Sequence, residues 1–297
     1  MTMAKRIILL SLLWGAFTYN CLAQEDLLKL AETQDSTQAD YTSATFKAVR
    51  LLNGHTIETN RAGELLFLIS HRFGTLNSGA YELWGLDQAT IRLGLEYGFT
   101  DRFTAGIGRS SLEKTYDGFL KYKLLRQKET GMPLTLTLFT SAAIKTLKWI
   151  EPTVEEQFKY RLTYTYQALL ARKISEHISL QVAPTLIHRN LVPLASDENN
   201  VYALGAGGRV KLSKRTTFNA EYFYLLPGET ADQFKNTLSL GVDIDTGGHV
   251  FQLMATNAQG MIEPLFIPRN AGSWSQGDIY FGFNISRVFQ IRKDKAE

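Results

Sequence analysis

The sequence predicts an all-β fold: a single up-and-down antiparallel transmembrane β-barrel of about twelve strands with a short N-terminal periplasmic extension. Three observations carry this. From Gly63 onward, stretches of about ten residues alternate apolar with polar or small side chains, which puts one apolar face on each strand. The connections between these stretches alternate between tight turns and long loops. Beyond the N-terminus no segment qualifies as a helical span; the longest uncharged run, Thr246 to Ile262, has 17 residues and is broken by Gly247, Gly248, Gln252, Asn257, Gln259 and Gly260. Only helices and closed barrels satisfy their backbone groups in lipid, so alternating strands in an even number point to a barrel.

The first 23 residues read as an export signal. Lys5 and Arg6 precede an apolar run from Ile7 to about Phe17, and Cys21-Leu22-Ala23 forms a small-residue cleavage site. The alternative of a lipidated Cys21 is disfavoured by Thr18, Tyr19 and Asn20 before it. Removing 23 of the 297 residues leaves 274, takes away the only Cys and lowers the formal charge from +3 to +1 by the loss of Lys5 and Arg6. Disulfide stabilisation and electrostatic binding of nucleic acid are thereby excluded. Residues 24–60 break the strand pattern: Asp26 to Glu32 suits a helix turn, Thr33 to Asp40 a polar linker, and Phe46 to Ile57 is mixed. They form a periplasmic extension that plugs or braces the barrel, which itself spans residues 61–291 and leaves 292–297 as a tail.

In the first strands, Leu65 to Ile69 is followed by Ile91, Leu93, Leu95, Tyr97 and Phe99 on one face, with Arg92, Gly94, Glu96 and Gly98 on the other. Phe103 to Ile107, Leu120 to Leu124 and Leu134 to Leu138 come next. The same parity returns at Leu162 to Ala168, Ile178 to Val182, Tyr202 to Ala206, Phe218 to Tyr224, Leu238 to Ile244, Phe251 to Ala255 and Ile279 to Ile285. Tight turns sit at Thr100-Asp101-Arg102, Ser175-Glu176-His177, Ser213-Lys214-Arg215 and Thr246-Gly247-Gly248, and long loops lie between them except around Ser110 to Lys114. A soluble sandwich or lipocalin-like barrel would carry dense Lys and Glu on its wet face, whereas here the polar face is mostly Gly, Thr, Ser and Gln. Tyr97, Phe99 and Phe103 near strand ends suit an interfacial girdle. With the apolar residues facing lipid, little conventional core is expected.

The block Gly85 to Gln127, GLDQATIRLGLEYGFTDRFTAGIGRSSLEKTYDGFLKYKLLRQ, with Ile69 to Gly74 and Gly277 to Phe289, resembles a family of bacterial outer-membrane β-barrels of unknown function. The resemblance covers nearly all of the barrel and implies a place in the outer membrane of Gram-negative bacteria. Phe289 resembles the terminal aromatic read by the barrel-assembly machinery, although Gln290 to Glu297 follow it.

Inward parity places Arg92, Glu96, Asp117, Lys121, Arg161, Arg209, Lys211, Glu221, Asp243 and Asp245 in the lumen, since an Arg or Lys facing lipid at the midplane would cost about 2–4 kcal/mol. Read functionally, these charges line a solute path; read structurally, they fill the interior with salt bridges. Twelve strands enclose a backbone diameter of roughly 24 Å, and inward side chains would leave a channel of about 10 Å. The loop Asn257 to Gly277 carries Met261, Ile262, Leu265, Phe266, Ile267 and Trp274, with Phe266 and Trp274 as candidate contact residues. It either folds into the lumen, docks a partner or lipid, or packs on its neighbours.

No catalytic set emerges: His188 and Ser196 share a loop region but no signature spacing. The five histidines lack metal-ligand spacing, Asp243-Asp245-Gly247 lacks the acidic twelfth residue of a calcium loop at Met254, and Gly106-Ile-Gly108 and Gly205-Ala-Gly207-Gly208 lie inside strands rather than before helices. The sequence thus predicts a non-enzymatic narrow pore for a small solute, without cofactor. Its expected partners are outer-membrane lipid, the assembly machinery and a solute or periplasmic protein. The alternative is a non-conducting barrel acting through its long loops.

Overall fold

The computed structural model describes residues 41–149, 155–192 and 197–292. The export signal, the first part of the extension, Ser196 and most of the C-terminal tail lie outside the described residues. Twelve strands run in chain order: β1 (Glu64–Thr75), β2 (Ala89–Thr100), β3 (Phe103–Ser110), β4 (Thr115–Leu125), β5 (Thr135–Lys145), β6 (Leu162–Lys173), β7 (Ile178–Arg189), β8 (Asn200–Lys211), β9 (Thr216–Leu225), β10 (Thr237–Asp245), β11 (His249–Thr256) and β12 (Tyr280–Gln290). Each pairs antiparallel with its chain neighbours, and β1 closes the ring on β12 with Ile69 opposite Ile285. Closure leaves no free edge, so backbone donors and acceptors of the wall are satisfied within it.

Alternation along each strand sorts the two faces. On β2, Ile91, Leu93 and Leu95 are exposed on the outside while Arg92 and Glu96 are buried inside. The outward set continues around the ring with Ile107, Leu120, Leu138, Leu180, Leu204 and Leu253, forming the apolar belt that meets lipid. Among the described residues no helix is long and apolar enough to cross a membrane. The register shifts lie near strand ends, between Arg72 and Thr75, Gly98 and Thr100, and Lys123 and Leu125. A shift there does not exchange the faces over the middle of a strand. Placing a charge in the belt has a calculable cost: Leu95→Arg is expected to lower unfolding stability in lipid vesicles by about 2–4 kcal/mol. A change within about 0.5 kcal/mol in denaturant titrations would mean that Leu95 does not face lipid.

The barrel does contain a conventional core, contrary to expectation. Phe46, Leu51 and Ile57 of the N-terminal segment pack inside on Phe119, Phe139, Leu169 and Ala183 of the wall. Towards the long-loop rim, Phe266 and Ile267 pack on Ile187, Val201, Phe223 and Leu225. Two segments outside the strands therefore fill the lumen. One is residues 41–60, which enter from the rim of short turns. The other is the connection from Asn257 to Ile279, which enters from the rim of long loops and carries the one-turn helix α2 (Glu263–Phe266); α1 (Glu229–Gln233) lies in the β9–β10 connection.

The entry point of the N-terminal segment also accounts for an irregular turn. The β4–β5 connection is the longest on its rim, and there Tyr41 bridges Lys128, Thr42 N–H donates to the Gln127 carbonyl at 2.9 Å, and the Arg126 guanidinium lies 4.1 Å from the Tyr41 ring centre.

The occluded lumen as candidate functional site

Residues 46–57 form a hairpin inside the barrel. Leu51 N–H donates to Gly54 O and Thr56 N–H to Val49 O, both at 2.9 Å, so that Leu52-Asn53-Gly54 is the tip. Three successive tip amides converge on the Glu221 carboxylate of β9: Leu52 at 3.3 Å, Asn53 at 2.7 Å and Gly54 at 3.1 Å. Successive N–H groups pointing one way form an anion-binding concavity, and here the anion is a wall side chain.

Other polar groups at and beside the tip are also met by the wall. The Asn53 side chain accepts from Arg72 at 2.6 Å and donates to Ser239 at 2.8 Å. Asn284 donates to Leu52 O at 2.8 Å, and Gln252 to the carbonyls of Arg50 and Leu51, each at 3.1 Å. On the returning arm, Gln181 accepts from Ile57 N–H and donates to His55 O, Thr137 donates to Ile57 O, and Lys121 donates to Glu58 O at 2.5 Å. A buried peptide group without a partner costs about 1–3 kcal/mol, so wall side chains at these positions let an irregular segment enter the barrel.

One charged junction joins hairpin, wall and long-loop side. Arg50 lies 3.8 Å from Glu96 on β2 and 3.8 Å from Glu263 at the start of α2. All three residues are at least 96% buried, with exposures of 4%, 1% and 2%. At 3.8 Å the charges attract without well-formed hydrogen bonds; Arg50 Nε, both Glu96 oxygens and Glu263 Oε1 have no hydrogen-bond partner. Nearby, Arg92 and Asp117 form a fully buried pair at 2.5 and 2.9 Å. Gly94 and Gly108 make room for the Arg92 guanidinium and Gly106 for the Phe119 ring; a Cβ at Gly106 or Gly108 would overlap these side chains.

Of the residues expected in the lumen, Arg92, Glu96, Asp117, Lys121, Arg209, Glu221 and Asp243 are buried inside the barrel. The expected channel of about 10 Å is replaced by the hairpin, and a void between Leu51, Gly54, Gln181 and Glu221 measures about 10 Å³, room for one water at most.

Arg161 corrects the parity assignment. It precedes β6 in a 3₁₀ turn at the long-loop rim, donating to Lys145 O and Leu147 O and pairing with Glu156. Asp245 is likewise a rim residue, paired with Lys47 at 3.4 Å. Phe266, expected as an exposed contact residue, is fully buried because α2 dips inward and sets its ring 5.0 Å from Phe223. Trp274 is half-buried and donates from its indole to Leu238 O at 3.0 Å. His188 Nδ1 lies 2.7 Å from Asn200 Oδ1 on the wall.

Sequence reading missed Arg72, Gln181, Gln252 and Asn284, all at inward positions that hold the hairpin. The available signal lay in their neighbours: Phe119, Phe139, Leu169, Ile187 and Phe223 put large apolar groups on the face read as polar, so something apolar had to cover them.

Residues 46–289 match the family described as "Membrane bound beta barrel domain (DUF5777)". The chain belongs to this family. The match begins at Phe46, the first buried apolar residue of the hairpin, so the family's domain includes the segment that fills the lumen together with the wall. No curated protein matches the chain.

Similar solved structures include a NanC porin, with 10% identity over 77% of this chain and 100% of that one at a TM-score of 0.48. Another is an outer membrane channel from Pseudomonas putida F1, with 14% identity over 78% of this chain and 98% of that one, also at 0.48. A KdgM porin shows 7% identity, 77% and 99% coverage and a TM-score of 0.45.

The barrel domain carries a second tie on its long-loop rim. Glu113, between β3 and β4, accepts two bonds from Arg269 at 2.6 and 2.7 Å and one from Lys145 at 3.1 Å, joining the β11–β12 loop to the wall. Burial pushes its carboxyl up, but the bonds from Arg269 and Lys145 outweigh this and hold it below its ordinary value of 4.5. A depressed acid stabilises the fold above its unfolded value and loses that contribution as pH falls through the folded one. The β11–β12 loop is therefore expected to become protease-sensitive on acidification below the ordinary glutamate range, and Glu113→Gln to show that sensitivity already at pH 7. Equal cleavage of parent and variant at pH 7 would refute the tie.

Proposed function

We propose that the protein is an outer-membrane channel for a small solute, held closed by its own N-terminal hairpin from the periplasmic side and by the β11–β12 loop from outside. The export signal read in residues 1–23 and the outward apolar belt support the location, with the barrel-assembly machinery as the partner in biogenesis. The observation that carries the closed-channel reading is the chemistry of the contact between hairpin and wall. Glu221, Arg72, Gln181, Gln252, Asn284 and Lys121 hold the hairpin through polar bonds, each of which water could replace. The wall behind the hairpin would then be a hydrated path carrying charges of both signs.

The apolar contacts of Phe46, Leu51 and Ile57 favour a second reading, in which the hairpin is a permanent filling and the barrel binds partners through its loops without conducting. Planar-bilayer recording separates the two. Full-length protein is expected to be electrically silent, and a variant lacking residues 24–60 to conduct with a conductance that changes when Arg92 or Lys121 is neutralised. A deletion variant that folds, judged by circular dichroism and heat-modifiable mobility, yet stays silent would overturn the channel.

A further inference from the structure

Beside the closed lumen, on the long-loop rim, the structure holds a cavity of about 380 Å³ between the ends of β5 to β7 and α2. Among the described residues Lys145, Lys148, Arg161, Arg189 and Arg269 line it, against one lining carboxylate, Glu113. Glu113 is already committed to Arg269 and Lys145. Arg161 is held by Glu156 at 2.5 Å, with its guanidinium 5.5 Å from the Trp149 ring centre.

Arg189 is the most buried of these cations. It is 94% buried, at 6% exposure, and bonds through Nη2 to Glu198 O at 2.5 Å and Thr230 Oγ1 at 3.0 Å, while its buried Nε has no acceptor. A guanidinium offers donors in a fixed fork that suits a carboxylate. The lining also includes the apolar side chains of Leu147, Phe234, Ile262, Pro264 and Leu265, together with Tyr160.

We infer that this cavity binds a small organic acid, a carboxylate carried on a compact ring, with the acid towards Arg189 and Lys148 and the ring against Pro264 and Leu265. A bare inorganic anion would leave the apolar side chains in water, and an uncharged ring would leave the cations unanswered. The volume lies in the range of small-molecule sites and suits one or two rings. Pro264 and Leu265 follow Glu263, which faces Arg50 of the hairpin, so an occupant rests on the same short helix that helps keep the lumen closed. That the bound acid is also the solute carried rests on the closed-channel reading; binding itself does not.

The test titrates detergent-solubilised full-length protein with benzoate and with glucuronate, and with benzamide and glucose as their uncharged counterparts, by calorimetry and tryptophan fluorescence. At least one acid is expected to saturate with a Kd between about 10 μM and 1 mM, its counterpart binding at least about tenfold more weakly. Arg189→Gln should weaken acid binding about tenfold. Lys148→Gln, an exposed substitution that leaves the fold untouched, should weaken it several-fold and reduce its salt dependence. Absence of binding by both acids up to about 10 mM, equal affinity for acid and counterpart, or parent-like affinity in Lys148→Gln would overturn the inference. Binding is read on the closed protein and conductance on the deletion variant without ligand, so either reading can fail alone.

Discussion

Replacing Arg50 by methionine is expected to destabilise the protein by about 3–5 kcal/mol and, on the closed-channel proposal, to let ions pass through the barrel. Methionine fills much of the same volume but brings no charge. Glu96 and Glu263, both almost fully buried, then lose the guanidinium that lies 3.8 Å from each. Removing one member of a buried charge cluster costs far more than the cluster contributes, because the remaining charges stay desolvated. Relief comes from water, which can enter only if the hairpin and the β11–β12 loop separate. Thermal unfolding and bilayer recording should therefore move together. Adding Glu96→Gln and Glu263→Gln to Arg50→Met removes both orphaned charges and should recover more than half of the lost stability and restore silence. If Arg50→Met unfolds within about 1 kcal/mol of the parent and stays silent, the junction does not close the lumen.

Glu221→Leu is expected to release the hairpin tip from the wall at a cost of roughly 3–9 kcal/mol. The Leu52, Asn53 and Gly54 amides lose their common acceptor, and each buried N–H left unmet costs about 1–3 kcal/mol. Glu221→Gln keeps one side-chain oxygen for these donors but turns an NH₂ group towards the others, so an intermediate loss is expected. Hydrogen exchange reports the effect locally: in the leucine variant the tip amides should exchange at least about a hundredfold faster while mid-strand amides of β9 and β10 stay protected. Unchanged protection at Asn53 would show that apolar packing alone seats the hairpin.

Much of the wall was legible because a strand repeats every two residues and the barrel has one largely polar inner side and one lipid-facing side. Ile91 to Leu95 and Tyr222 to Tyr224 reveal their faces without any knowledge of neighbours. Strand ends were less legible: β5 runs to Lys145 and β1 to Thr75, beyond the residues where alternation is clean. Arg161 shows the hazard directly, since extending the parity of β6 one residue back puts a rim residue into the lumen.

The hairpin was illegible for a different reason. Between Thr45 and Ile57 nearly every residue is buried, polar and apolar alike, so neither period two nor period 3.6 can appear. Many of its partners lie more than a hundred residues away, on β7, β9, β11 and β12.

By itself the sequence determined the barrel, its twelve strands, the face each strand turns to lipid and the rim on which the long loops stand, because these follow from local alternation and the obligation to pair every backbone group in a membrane. Only the tertiary structure decided whether the enclosed space is empty. Closing the ring brings Glu221, Arg72 and Gln181 around a segment that has no pattern of its own, and brings Glu263 within 3.8 Å of Arg50 across 213 positions of chain. Those contacts depend on which inward residues stand at the same height on distant strands, a quantity set by the register of the closed barrel and carried by no local stretch of sequence.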